Sequence, residues 1–251
     1  MPSNSSITEY PTVDEWLAIT IEGRVQVHTG KVDIGQRIST ALLKIAAVEL
    51  DVDPNAVDML QPRTDVSPNE GTTSGSCSME NSGETIRLAT ATARAHLLAL
   101  AAAKLEESAD NLEIADGVIR APKTNKTVSY AELIGGQSFG INIDHHADIK
   151  DEAAYRKLDA NTTPRFMEDI VTGAHQYVHD MVVPGMVHAR VVRPPHIHAR
   201  LNKLDDAVVA KLTEDGLQLI IDKSFVAVAG SEEYPVIKAA ERLFATADWN
   251  L

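Results

Sequence analysis

Between Gly30 and Gly35 the hydrophobic period of this chain changes from two residues to between three and four, which restricts the fold to a mixture of strands and helices. Upstream, Trp16-Leu17-Ala18-Ile19-Thr20-Ile21 and Val25-Gln26-Val27-His28 alternate around Glu22-Gly23, the pattern of a β-hairpin. Downstream, Ile38, Ala41, Leu42, Ile45 and Val48 or Glu49 recur at helical spacing until Asp51-Val52-Asp53-Pro54 ends the run. Val57 to Leu60 predicts a strand and Pro68 to Gly75 a loop. A long helix is expected from Ser82-Gly83, with Ile86, Ala93, Leu97, Leu100, Ala101 and Leu105 buried and Arg87, Arg94 and Lys104 on the surface. A second hairpin is predicted around Asp116-Gly117 and a short capped helix at Ser129 to Leu133.

Further on, Met186 to Val192, Leu217 to Ile221 and Phe225 to Ala229 read as strands. A last helix is expected with Ser231 as N-cap, Pro235 in its first turn, and Val236, Ile237, Ala240, Leu243 and Phe244 as its apolar face. The first dozen residues are polar and expected to fray. Residues 136–169 are weakly periodic and predict a linker lying along a surface, such as that of a partner. The expectation is therefore two α+β (α/β) units, over 13–135 and 170–250.

Composition removes several functions. Twenty-three Lys and Arg against thirty-six Asp and Glu give a net charge of −13, the wrong sign for gripping a phosphate backbone, and 4% aromatic residues leave little for stacking bases. No nucleic-acid partner is expected. No apolar run reaches the roughly 20 residues that a bilayer span needs. The start, Met1-Pro2-Ser3-Asn4-Ser5-Ser6, lacks the basic and apolar regions of a secretion signal, so a cytoplasmic location is expected. One cysteine, Cys77, excludes an intrachain disulfide, a CxxC zinc site and a self-contained iron–sulfur cluster.

Two stretches carry candidate chemistry. Gly30-Lys31-Val32-Asp33-Ile34-Gly35-Gln36-Arg37 joins a strand to a helix and puts a side-chain amide where unpaired N–H groups gather. Gly71-Thr72-Thr73-Ser74-Gly75-Ser76-Cys77-Ser78 places hydroxyls and N–H groups ahead of the long helix, the ingredients of a phosphate cradle. Each has a plainer reading, as a turn and as a flexible Gly/Ser/Thr loop. His145-His146, His175/His179 and His196/His198 have close spacings, but none carries the glutamate of a zinc-protease motif, and no metal ligand is assigned. Cys77 near a helix start suits a lowered thiol pKa, yet a lone Cys between serines is more often just packed. No catalytic residue is assigned.

Gly30-Lys31-Val32-Asp33-Ile34-Gly35-Gln36, with Thr40 and Ala41, resembles the first motif of the molybdopterin-binding subunit of the xanthine dehydrogenase/aldehyde oxidase family, the molybdenum hydroxylases of isoquinoline oxidoreductase and nicotinate dehydrogenase type. That motif runs Gly-(Lys/Arg)-Val-Glu-(Leu/Met)-Gly-Gln-Gly-x-x-Thr-Ala. Thr73-Ser74-Gly75-Ser76-Cys77-Ser78, with Gly83, resembles its second motif. Val171-Thr172-Gly173, Tyr177, Asp180 and Pro184 to Pro194 are similar to its small α/β hammerhead domain.

The resemblance implies a partial molybdopterin-binding domain over 13–135 and a hammerhead-like domain over 170–250. It implies that Gly35 and Gln36 lie near the molybdenum–pterin core, and that Thr73, Gly75, Ser76, Cys77 and Ser78 hold the cofactor's phosphate end. Family members hydroxylate aldehydes or N-heterocycles with water-derived oxygen and pass electrons to iron–sulfur clusters on another domain or subunit. Arg37 stands where the motif has Gly, and Ile170 where a Lys precedes Val-Thr-Gly. A complete subunit is several times longer, and its later part carries the general base and most cofactor contacts. The expected partners are thus the remaining part of that subunit, which would share the cofactor, and a ferredoxin-like iron–sulfur subunit. The competing expectation is an interaction module that keeps the fold without the cofactor.

Overall fold

The computed structural model describes residues 5–159 and 163–250. Met1 to Asn4, at the end expected to fray, and residues 160–162, within the expected linker, lie outside the described residues. The chain divides into two units, Met1–His175 and Gln176–Leu251, each mixing helices with strands.

The first unit begins with α1 (Ser5–Glu9), β1 (Leu17–Ile19) and β2 (Val25–Val27). The start is more ordered than its polarity suggests. Ile7 is buried, Thr12 and Glu15 cap each other, and the Trp16 indole N–H donates to the Tyr10 carbonyl at 3.0 Å. β1 and β2 form the expected antiparallel hairpin, and β3 (Val57–Met59) joins β2 in parallel. A parallel neighbour needs a crossover, which α2 (Ile38–Leu50) supplies. Asp51, left-handed at φ 51°, ends that helix.

Against α2 lies α3 (Glu84–Leu105), preceded by one wide turn at Met79–Gly83. Then follow β4 (Glu113–Ala115), β5 (Val118–Ala121) and β6 (Lys126–Ser129), an antiparallel meander, and α4 (Tyr130–Ile134), closed by the Ser129/Glu132 capping box. Trp16, Ile19, Val27, Leu42, Leu50, Ile86 and Leu97 belong to one buried core.

Two sequence expectations change here. Arg87 and Arg94 are only partly exposed, with 34% and 12% of their side chains open to solvent. Both turn to Glu49 on α2, whose carboxylate is fully buried: Arg94 Nη1 donates to Oε2 at 2.9 Å and Arg87 Nε to Oε1 at 3.3 Å. Residues beyond 136 also do not run free as far as Tyr155. Phe139 and Ile143 enter the core, the Lys150 N–H donates to Glu49, and Tyr155 Oη donates to Glu49 Oε1 at 2.6 Å. Burial, and next the hydrogen bond to Glu49, push the Tyr155 phenol far above its usual range. An unpaired buried carboxylate is so costly that these donors converge, which folds the segment onto its own unit. It includes α5 (Glu152–Asp159); α6 (Met167–Thr172) completes the unit.

The second unit contains β7 (His188–Val192), β8 (Arg200–Lys203), α7 (Asp206–Glu214), β9 (Gln218–Asp222), β10 (Phe225–Gly230), α8 (Glu233–Thr246) and β11 (Asp248–Asn250). β10 lies between β7 and β9, antiparallel to both, while β8 pairs with β11. Val192, Val226 and Val228 pack with Leu212 of α7 and Val236 and Leu243 of α8. The last helix differs in detail from its expected pattern. Glu232, not Ser231, is its N-cap, Ala239 is buried, and Phe244 is 55% exposed.

Replacing Glu49 with Ala leaves the Arg94 guanidinium without its charge partner and should lower unfolding stability by about 3–5 kcal/mol. Urea unfolding checks this; a loss below about 1 kcal/mol, the range of exposed ion pairs, would contradict it.

Candidate functional site

The two stretches singled out in the sequence lie side by side, joined residue by residue from 29 to 32 on one and from 70 to 73 on the other. Gly30 makes this possible by close approach: a Cβ there would stand 2.1 Å from the Pro68 carbonyl oxygen and 2.9 Å from the Glu70 nitrogen. The Glu70 carboxylate then gathers four donors. Thr29 Oγ1 and the Gly30 N–H reach Oε2, both at 2.8 Å, while Ser82 Oγ at 2.6 Å and Ser6 Oγ at 3.2 Å reach Oε1.

Lys31, itself buried, donates through Nζ to the carbonyls of Glu70 at 2.7 Å and Thr72 at 3.4 Å. The last tie is the Val32 N–H to Thr73 Oγ1 at 2.9 Å. Neither Glu70 nor Lys31 was assigned a role from sequence; the available signal was one carboxylate inside an otherwise neutral Pro-Asn-Glu-Gly turn.

Gln36 meets the same junction. Its Nε2 donates to the Val32 carbonyl at 2.9 Å and its Oε1 accepts the Ile34 N–H at 2.6 Å. Its amide therefore fastens the 32–36 loop, retaining one N–H and one lone pair for another group. Thr73 and Gln36 are thus bridged by the two sides of a single residue, Val32.

The helix entrance after Gln36 is already filled. Asp33 Oδ1 accepts the N–H groups of Gly35 and Arg37 at 3.1 and 3.2 Å, and Oδ2 accepts Ser39 Oγ at 2.7 Å and the Ser39 N–H at 3.4 Å. This side chain takes the place of a capping residue. Burial pushes its carboxyl pKa up, but the Ser39 hydroxyl and the backbone donors outweigh burial and hold it below the ordinary value of 3.8. Arg37 adopts the left-handed conformation at φ 62°, is exposed, and its guanidinium has no partner among the described residues. No bond from that guanidinium bridges the gap between the loops.

The second loop offers the open donors. Gly75 at φ 66° and Ser76 at φ 59° bend it outward. The backbone N–H groups of Thr73, Ser74, Gly75 and Ser76 find no acceptor among the described residues, and the hydroxyls of Ser74, Ser76 and Ser78 have none either. Cys77 is half-buried, with its thiol on the Gly75 carbonyl at 3.2 Å. A cluster of neutral N–H and O–H donors ahead of a 22-residue helix suits an anionic, oxygen-rich group. Beside the junction, Gly30, Val32, Arg63, Pro68 and Glu70 line a groove of about 390 Å³.

The remaining candidates stay apart. His196 and His198 have ring centroids 5.4 Å apart, and His175 stacks on Phe166 at 5.1 Å. Among the described residues no three His, Cys, Asp or Glu side chains converge as metal ligands. No helix among them is long and apolar enough to cross a membrane.

Comparison with known proteins supplies a family. The molybdopterin cofactor-binding domain family matches residues 4–181. Over 247 residues the chain is 34% identical to a nicotinate dehydrogenase subunit of Pseudomonas putida, covering 93% of this chain and 21% of that protein. It is 25% identical to the beta subunit of isoquinoline 1-oxidoreductase of Brevundimonas diminuta, covering 91% of this chain and 34% of that one. The chain thus spans between a fifth and about a third of these relatives. Among solved structures, a reconstituted CO dehydrogenase from Oligotropha carboxidovorans aligns at TM-score 0.42 and 26% identity, covering 47% of this chain and 15% of that one.

Asp33→Ala should cost about 1 kcal/mol at neutral pH, the usual worth of a capping side chain. Because the folded carboxyl is held below its unfolded value, its contribution is complete above about pH 4 and disappears as pH falls through the folded pKa. Melting curves should therefore show the variant below wild type at pH 6 and level with it near pH 2. A gap independent of pH would contradict this assignment.

Proposed function

Because the chain belongs to the molybdopterin cofactor-binding domain family, we propose that it is an N-terminal portion or split subunit of a molybdenum hydroxylase, oxidising aldehydes or N-heterocycles with water-derived oxygen. The observation that carries this reading is the Val32 junction, which sets Gln36 and the Thr73 hydroxyl on one rim although 37 positions separate them in sequence.

On this reading the free N–H groups from Thr73 to Ser76, with the hydroxyls of Ser76 and Ser78, hold the anionic end of the cofactor. Gly35 leaves room beside it, and Cys77 shapes the loop through Gly75. Gln36 offers its remaining N–H and lone pair to the pterin portion. When bound, the cofactor supplies the two-electron oxidation of substrate at molybdenum. Within this chain Glu70 and Lys31 fix the rim beforehand, so that little ordering remains for binding.

No side chain here is assigned as general base. A companion polypeptide supplying the rest of the subunit would complete the site and share the cofactor, and a ferredoxin-like subunit would take the electrons. The chain would be inactive alone, and the assembly cytoplasmic. The second unit, Gln176–Leu251, serves as the hammerhead-like domain expected over 170–250.

A second reading, an interaction module that keeps the fold without the cofactor, is favoured by Asp33, which already satisfies the α2 entrance, and by Arg37 in place of a motif Gly.

Co-expression with the companion polypeptide and the iron–sulfur subunit, followed by molybdenum analysis, separates the two. Loss of one hydrogen-bonding group costs about 1.4 kcal/mol, or about tenfold in affinity, so Gln36→Ala and Ser76→Ala should each reduce retained molybdenum by that order. Assemblies free of molybdenum in wild type and variants alike favour the second reading.

A further inference from the structure

The three-stranded sheet of the second unit, β7-β10-β9, has apolar side chains on both faces. On one, Val192, Val226 and Val228 meet α7 and α8. On the other, residues opposite one another across the ladder form the row Val191, Ala227 and Ile220, with Phe225 two residues before Ala227 and the polar Gln218 and Asp222 of β9 at its two ends. Val191 is 49% exposed, Ile220 43% and Phe225 47%, while the small Ala227 of the central strand is buried, so the open area lies on the flanking side chains. An antiparallel sheet with one solvated face alternates apolar with polar residues; β10, Phe-Val-Ala-Val-Ala-Gly, does not, and has the composition of a strand covered on both sides. The run into β7 continues the character, with Val182 78% and Val187 58% exposed.

We propose that this open sheet face is the docking surface for the rest of the large subunit, a companion polypeptide that presents an apolar layer to it. The proposal rests on the split-subunit reading above. Size decides between that occupant and a second copy of this chain. Three strands about 4.8 Å apart and five residues of about 3.3 Å make a patch of about 14 by 17 Å. That is on the order of 240 Å², well short of the roughly 800 Å² per partner that a stable two-chain interface buries. A patch of this size works as one part of a more extensive interface. The matched relatives extend far beyond the segment this chain shares with them, which provides for such a layer.

The test co-expresses the full chain with the polypeptide encoded beside it that carries the rest of the subunit. Complex formation is read by light scattering after gel filtration, and metal by elemental analysis. Val191→Lys and Ile220→Lys alter half-exposed positions, so each variant should keep the wild-type melting temperature while its yield of complex falls about tenfold or more. Hydroxyl-radical footprinting of wild type provides a measure independent of variants: Phe225 should become protected in the complex.

Undiminished complex with both lysine variants and no protection of Phe225 overturns the docking surface while leaving the cofactor reading intact. A face-dependent complex without molybdenum overturns the cofactor reading and sustains the surface. Absence of any companion or any complex overturns both. A homodimer of the isolated chain that both lysine variants abolish assigns the face to a second copy and overturns the proposal.

Discussion

The site in this protein depends on one carboxylate. Glu70 sits in a polar turn with few apolar side chains to hold it, yet it receives donors from α1, from the strand end at Thr29–Gly30 and from Ser82 before α3. Hydrogen bonds to an ionised acceptor are roughly twice as strong as neutral ones, and several on one group over-determine its position. Lys31, itself buried, ties the same turn from the other side by donating to the carbonyls of Glu70 and Thr72. The loops at 30–36 and 71–78 are therefore held as one rim, while their tips keep open donors.

Glu49 plays the corresponding part away from the rim. Fully buried on α2, it draws Arg87, Arg94, the Lys150 backbone and Tyr155 together, and so fastens α3 and the chain beyond 136 onto the first unit. The two carboxylates divide the labour: one fixes the helical layer, the other the loops that emerge from it. Asp33 is a third case, since it closes the α2 entrance from within and leaves the loop before α3 as the richer source of free donors. An anionic ligand would thus meet the second loop rather than the first helix.

What could be read from sequence followed local periodicity. The hairpin around Gly23, the helices from Ile38 and Glu84 and the capping box at Ser129 all arise from spacing within a few residues, and the structure contains them. The motifs at Gly35-Gln36 and Thr73–Ser78 marked two loops that meet at Val32, a meeting that the spacing of either one does not encode. Partners far apart in the chain were not legible. Arg87 and Arg94 lie off the apolar stripe of α3 and read as surface residues, and only the pairing with Glu49, some 40 residues away, draws them partly inward. Two bonds of the Gln36 amide close its own loop, a geometry that spacing does not encode, and leave one N–H and one lone pair for another group. Phe244 matched the apolar stripe of the last helix but lies at its exposed edge.

The most direct test of the central claim is amide hydrogen exchange on the full chain carrying Glu70→Ala. If one carboxylate holds both loops, exchange should accelerate together across 30–36 and 71–78, while the amides of α2 and α3 keep their wild-type protection. Unchanged exchange in both loops, or acceleration of only one, would contradict it.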